Sequence, residues 1–134
     1  MNKENRRPIK TFQDIEAYQN LYKAMVLVIA QIVPCLPKEE KFDLADQMRR
    51  ASKAGPALIA EGFAKRHQIK HWRKYLDDAI GESNEMINHL SVCIDIYPKY
   101  LKVEKCKEAI GLYDKSSRQL YNLRKAWQNF HEKN

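Results

Sequence analysis

At 134 residues the chain has the length of one ordinary domain, enough to bury a hydrophobic core without help from disulfides or a structural metal. Lys and Arg number 24 against 17 Asp and Glu, a formal charge of +7 with a pI near 9.3, which favours polyanionic partners such as nucleic acid or an anionic membrane. Three cysteines, Cys35, Cys93 and Cys106, are an odd number set among apolar neighbours; they fit reduced, buried thiols of a cytoplasmic protein and exclude a disulfide scaffold.

The segment Met1 to Lys10 is charged throughout and carries no signal-peptide pattern, so it is expected to be a basic tail ahead of one bundle spanning 11–131. The best apolar run, Ala24 to Val33, is about half a bilayer span and contains Gln31, so no membrane partner is expected.

Four glycines, five prolines and no alternating strand-like runs indicate an all-α domain. In helix one, Phe12, Ile15, Tyr18, Tyr22, Met25, Ile29 and Ile32 step by three or four residues until Pro34 and Pro37 remove backbone donors. Helix two is expected to start near Lys38, with Glu39, Glu40 and Asp43 complementing the helix dipole, and to run to Gly62. Its small-residue middle, Ala51 to Ala57, permits close helix approach. Pro56 predicts a kink, or alternatively a true break at Gly55-Pro56, although Leu58, Ile59 and Phe63 continue the stripe.

Helix three carries Trp72, Tyr75, Leu76, Ala79, Met86, Leu90, Cys93 and Tyr97 and should stop at Pro98. Helix four carries Val103, Cys106, Ile110, Tyr113, Leu120, Trp127 and Phe130. Short loops make successive helices antiparallel neighbours, so the expected fold is an up-down-up-down four-helix bundle with a kinked second helix. That topology gathers residues 1–22, 53–81 and 117–134 at one end, with 14 Lys and Arg against 7 Asp and Glu, while the other end holds 10 of each. A one-ended basic surface is the footprint of phosphate-backbone binding.

Two runs supply candidate contacts. Between Glu61 and Asp77 lie Lys65, Arg66, Lys70, Arg73 and Lys74, with His67 and His71 as further donors or stacking groups; Trp72 and Tyr75 are assigned to packing. Between Asp114 and Glu132 lie Lys115, Arg118, Arg124 and Lys125. The plain alternative for both runs is a solvated helix face. Arg49 and Arg50 sit instead in the small-residue part of helix two, and a turn near residue 66 sets Arg50 level with Glu82 and Arg49 near Glu82 or Glu85. A structural ion pair, within the bundle or between subunits, is the reading of these four.

Metal and catalytic patterns are missing from the sequence. There is no His-Glu-x-x-His, no Glu-x-x-His, no Gly-rich phosphate loop and no carboxylate cluster of a two-metal nuclease, so no cofactor, metal or catalytic residue is expected. Arg66 to His71 and Arg124 to His131 match the loose Arg-spacer-His pattern of HEPN-type ribonucleases, a pattern frequent by chance.

The stretch Leu36-Pro37-Lys38-Glu39-Glu40-Lys41-Phe42-x-Leu44, the segment Ile59-Ala60-Glu61-Gly62-Phe63 and Leu76-x-x-Ala79-x-Gly81-x-x-x-Glu85 resemble the four-helix-bundle family of 23S ribosomal RNA intervening-sequence proteins and of accessory variability determinants of diversity-generating retroelements. The chain departs from the family's usual Ser-Ile-Pro-x-Asn in having Ala54-Gly55-Pro56-Ala57-Leu58. The resemblance implies a noncatalytic homo-oligomer, with a pentamer as the expected ring. In the retroelement branch it implies nucleic-acid binding and a reverse transcriptase partner. The combined expectation is a noncatalytic, cytoplasmic bundle binding RNA or DNA with low sequence specificity; the alternatives are a protein-interaction scaffold and a HEPN-like ribonuclease.

Overall fold

The structure, a computed structural model, describes residues 8–133, and their side chains as far as Asn129. The expected basic tail therefore falls mostly outside the described residues. All regular elements among those described are helical: α1 (Glu16–Leu27), α2 (Leu44–Phe63), α3 (Ile69–Ile96) and α4 (Val103–Lys133). Each packs on two others, α1 on α2 and α4, α3 on α2 and α4, which closes a four-helix bundle.

A short 3-10 turn, Phe12–Asp14, leads into α1. The Asp14 carboxylate accepts the N–H groups of Thr11 and Lys10, each at 2.9 Å, and these bonds hold its pKa below the ordinary value. After Leu27 the chain widens into a π turn, Val28–Ile32, followed by a 3-10 turn, Val33–Cys35, that carries Pro34. The buried side of this segment is Ala17, Leu21, Ala24, Leu27 and Val28 together with Ile15 and Ile32 of the expected stripe; the stripe's Phe12, Tyr18, Met25 and Ile29 are only half-buried, and Tyr22 is 48% exposed. Residues 21–33 are apolar almost all round, so two stripes compete. Ala17 and Ala24 let the backbone approach closely, and the added residue of the π turn rotates Ile32 and Val33 back to the core.

α2 begins at Leu44 rather than near Lys38, because Lys38–Glu40 forms a separate 3-10 turn. Glu40 fastens this turn: its carboxylate accepts the Leu44 N–H at 3.2 Å and the Tyr97 hydroxyl beyond the end of α3. The helix runs unbroken through Pro56, so a break at Gly55-Pro56 is overturned. Gly55 faces Leu21, whose methyl carbons lie 3.6 Å from where a Cβ would stand, as a small-residue face requires.

Gly62 marks a closer approach. A Cβ there would lie 2.5 Å from Tyr75 Cβ and 3.0 Å from Trp72 Cε3, so α3 starts directly against the α2 backbone. Further along, Cys93 Sγ meets Met48 Sδ at 3.7 Å in the core, and α3 ends two residues before Pro98. α4 buries Cys106, Ala109, Tyr113, Ser116 and Leu120. It is joined to α1 by Asn20 Nδ2 donating to Gln119 Oε1 at 2.9 Å and by Lys115 Nζ at 3.7 Å from Glu16.

Cys93 and Cys106 are buried, and burial pushes the Cys93 thiol up to about 12. Cys35 corrects the expectation of three buried thiols: it is exposed, because the 3-10 turn at Pro34 carries it outward. No helix among the described residues is long and apolar enough to cross a membrane.

Candidate nucleic-acid interface

The end of α2, the start of α3 and the end of α4 are held together by three rings. Phe63 and Trp72 meet edge-on at 6.0 Å, Trp72 and Trp127 at 5.6 Å, and Phe63 and Trp127 at 6.5 Å. Edge-to-face aromatic contacts of this kind add to their area burial, so this cluster is a firm base for the turn above it.

The cations are arranged on that base unequally. Arg66 lies over the Phe63 ring, its guanidinium carbon 4.1 Å from the centroid, and donates to the Phe63 carbonyl at 3.0 Å. Lys65 Nζ donates to the Tyr75 hydroxyl at 3.2 Å, and that hydroxyl donates to Glu61 at 3.1 Å; the first bond raises the Lys65 pKa. Lys74 pairs with Asp78 at 2.9 Å, which raises its pKa in turn. Arg118 pairs with Asp114, and Arg124 Nε stands 2.8 Å from Asp77 across the α3–α4 seam, close but not aligned as a hydrogen bond.

Of the eight expected phosphate contacts, Lys70, Arg73 and Lys125 thus have no carboxylate partner among the described residues, while Lys65, Arg66, Lys74, Arg118 and Arg124 are already engaged. His67 and His71 are exposed beside the free cations. Counting acid-free runs missed the counter-ions because helices pair residues four apart. Lys74–Asp78 and Asp114–Arg118 were legible as such pairs, whereas Asp77–Arg124 joins two helices and has no local signal.

The four residues read as a structural ion pair do not meet within one chain. Arg50 pairs with Asp46 at 3.1 Å on the exposed face of α2, and Arg49 donates to the Lys41 carbonyl at 3.3 Å. Contacts at Met48–Cys93 and Glu61–Tyr75 set Glu82 opposite the stretch Ala54 to Leu58, which leaves Arg50 roughly two helical turns away. The hairpin register assumed from a symmetric turn was wrong because Gly62 draws Tyr75 and Trp72 against the last turn of α2. Glu85 lies 3.5 Å from His89 Nε2. Among the described residues no Lys or Arg pairs with Glu82, and partial burial, followed by repulsion from Glu85 and Asp78, pushes its carboxyl above the ordinary value. No group of three or more His, Cys, Asp or Glu among the described residues is arranged to hold a metal.

These features define a helical bundle with an aromatic-braced basic turn. The sequence pattern of the 23S rRNA-intervening sequence proteins matches residues 13–122, and the chain belongs to that family. No curated protein matches it significantly, and no solved structure does.

Proposed function

We propose that this protein is a noncatalytic, homo-oligomeric bundle that binds RNA or DNA through phosphates with little sequence preference. The observation that carries the reading is that Lys70, Arg73 and Lys125 have no carboxylate partner among the described residues and lie on the same helical turns as Trp72 and Trp127, whose rings meet. Cations that need not first give up a carboxylate gain most from meeting a phosphate. An antiparallel up-down-up-down order, with α2 bent at Pro56, is part of the proposal. It is supported by the opposite running of the pairs Met48–Cys93 and Glu61–Tyr75, and by Asn20 meeting Gln119 while Lys23 and Gln31 share a groove with Glu108.

Arg66 is held by the Phe63 carbonyl and ring, which favours a binding surface over a HEPN-like ribonuclease. The side chain of His131, in the second Arg-spacer-His match, lies outside the described residues. A pentameric ring and a reverse transcriptase partner belong to the same proposal and rest on the family resemblance; a neighbouring reverse transcriptase gene would support the second.

The test is fluorescence anisotropy with mixed-sequence single-stranded RNA and duplex DNA over a range of salt. The triple variant Lys70→Gln, Arg73→Gln and Lys125→Gln should weaken binding to every sequence and flatten the salt slope by about 0.7 to 0.9 for each phosphate that is no longer neutralised. Replacing Lys102, Lys105 and Lys107 at the other end should change little. Equal weakening by the two triple variants would overturn the assigned surface, and no binding at any salt would favour the scaffold alternative.

A further inference from the structure

Beside the basic turn a cleft of about 360 Å³ opens on the flank of α3, lined by His71, Lys74, Tyr75 and Asp78. These residues stand three and four apart, so they share one face of the helix. All four end in polar groups, yet the lining is chiefly apolar, and the Tyr75 ring is the largest carbon surface any of them can offer. Spacing assigns Tyr75 to packing, but the structure leaves it only half-buried. It is held at both ends. Gly62 brings the α2 backbone against its root, where a Cβ would lie 2.5 Å from Tyr75 Cβ. At its tip, the hydroxyl accepts from Lys65 Nζ at 3.2 Å and donates to Glu61 at 3.1 Å, and Lys65 is not among the residues lining the cleft. A partly open ring fixed in this way is a stacking surface that loses little freedom when a ligand meets it.

The charges around the cleft decide what can enter. Lys74 and Asp78 pair at 2.9 Å, so neither leaves an unbalanced charge in the lining, and the Asp78 carboxylate repels a phosphate group. Lys70 and Arg73 directly precede His71 and Lys74 in α3 and have no carboxylate partner among the described residues. Phosphates are thus drawn to the rim and excluded from the cleft itself. A flat, uncharged ring joined to a phosphodiester backbone suits both conditions, and the exposed Lys74–Asp78 pair offers a donor and an acceptor to its edge. A nucleobase is such a ring, and an unpaired one reaches the flank of a helix without breaking a base pair.

We infer that the cleft seats one unpaired base of a single strand on the Tyr75 ring, with the adjoining phosphates at Lys70 and Arg73. This deepens the nucleic-acid part of the proposed function and rests on it. His71 lines the same cleft and supplies a second flat ring. Stacking is tolerant of base identity because every base has a π face, so the site adds a preference for single strands over duplex without adding a sequence code.

Fluorescence anisotropy with two single strands of equal length, an oligothymidylate and its fully abasic counterpart, tests this at one salt concentration, since both present the same phosphates. The wild type should bind the base-bearing strand about 5- to 100-fold more tightly. Tyr75→Leu should lose most of that ratio while holding the abasic strand no less tightly, because Lys65 is released from the hydroxyl. Circular dichroism checks that the variant remains helical. Photocrosslinking of the wild type to a strand carrying 5-iodouracil needs no variant and should label Tyr75 or His71. Failure to bind either strand at low salt would overturn the proposed nucleic-acid binding together with this site. Equal affinity for both strands, an undiminished ratio in folded Tyr75→Leu, or crosslinks confined to other residues would overturn the base site alone.

Discussion

Replacing Gly62 by Ala tests the packing on which the basic turn stands. The new methyl would fall 2.5 Å from Tyr75 Cβ, 2.6 Å from Tyr75 Cγ and 3.0 Å from Trp72 Cε3. Two of these atoms are the root of a side chain rather than its free end, so no rotamer change relieves the contact and α2 must move away from α3. Overpacking of this kind costs about 1 to 3 kcal/mol, against a gain of about 1 kcal/mol from the better helix propensity of alanine. The net expectation is a loss of roughly 0 to 2 kcal/mol. Gly81 and Gly111 are the internal controls, because each is an exposed helical glycine with no atom within 4 Å of a new Cβ. Alanine there should stabilise by about 0.5 to 1 kcal/mol. For a domain of this size 1 kcal/mol is worth about 4 °C, so Gly62→Ala should melt roughly 2 to 12 °C below Gly81→Ala. Thermal and urea denaturation followed by circular dichroism would measure this, at one protomer concentration because assembly shifts apparent stability. If Gly62→Ala melts at or above Gly81→Ala, the close approach of α3 to the α2 backbone is not what requires glycine.

Two further outcomes follow from titration and exposure. The hydrogen bond to Glu40, with lesser help from burial, pushes Tyr97 up to about 12 from 10.0. Its stabilising effect should be whole below pH 10 and fade as pH rises toward 12, because the unfolded chain ionises first. Melting wild type and Tyr97→Phe across that range should show a shallower alkaline loss in the variant, and identical slopes would contradict the linkage. Under native conditions a thiol reagent should modify Cys35 quickly and reach Cys93 and Cys106 only in denaturant; equal rates for all three would refute their assigned burial.

Helix number and the extents of α3 and α4 were legible because Pro98 and the 3.6-residue pattern in these segments leave little choice. The face of α1 was not. A segment apolar on most sides gives two stripes of similar strength, and the choice between them is made by Ala17, Ala24 and the π turn, none of which stands out in a spacing argument. The start of α2 was misplaced for a different reason: acidic residues fit a first helical turn, yet Glu40 does better by tying the Leu44 N–H to the Tyr97 hydroxyl, and that tertiary partner is far away in sequence. At the basic turn, residue types pointed to the right segment but not to which cations remain free. Pairing across the α3–α4 seam decided that for Arg124, and Tyr75 did so for Lys65.

The bond between Asn20 and Gln119 joins residues 99 apart, whereas α2, α3 and α4 each follow the neighbour they pack on. Three helices can therefore gather as a chain-local meander, and only the docking of α1 onto α4 must span most of the polypeptide, a closure whose entropic cost comes before its contacts are made. Two amides facing one another at that seam add a directional preference, since a slip of α1 along α4 would strand both. The first helix in sequence is by this geometry the piece that completes the bundle, and the one whose seat an identical helix from another copy could occupy without any new kind of contact.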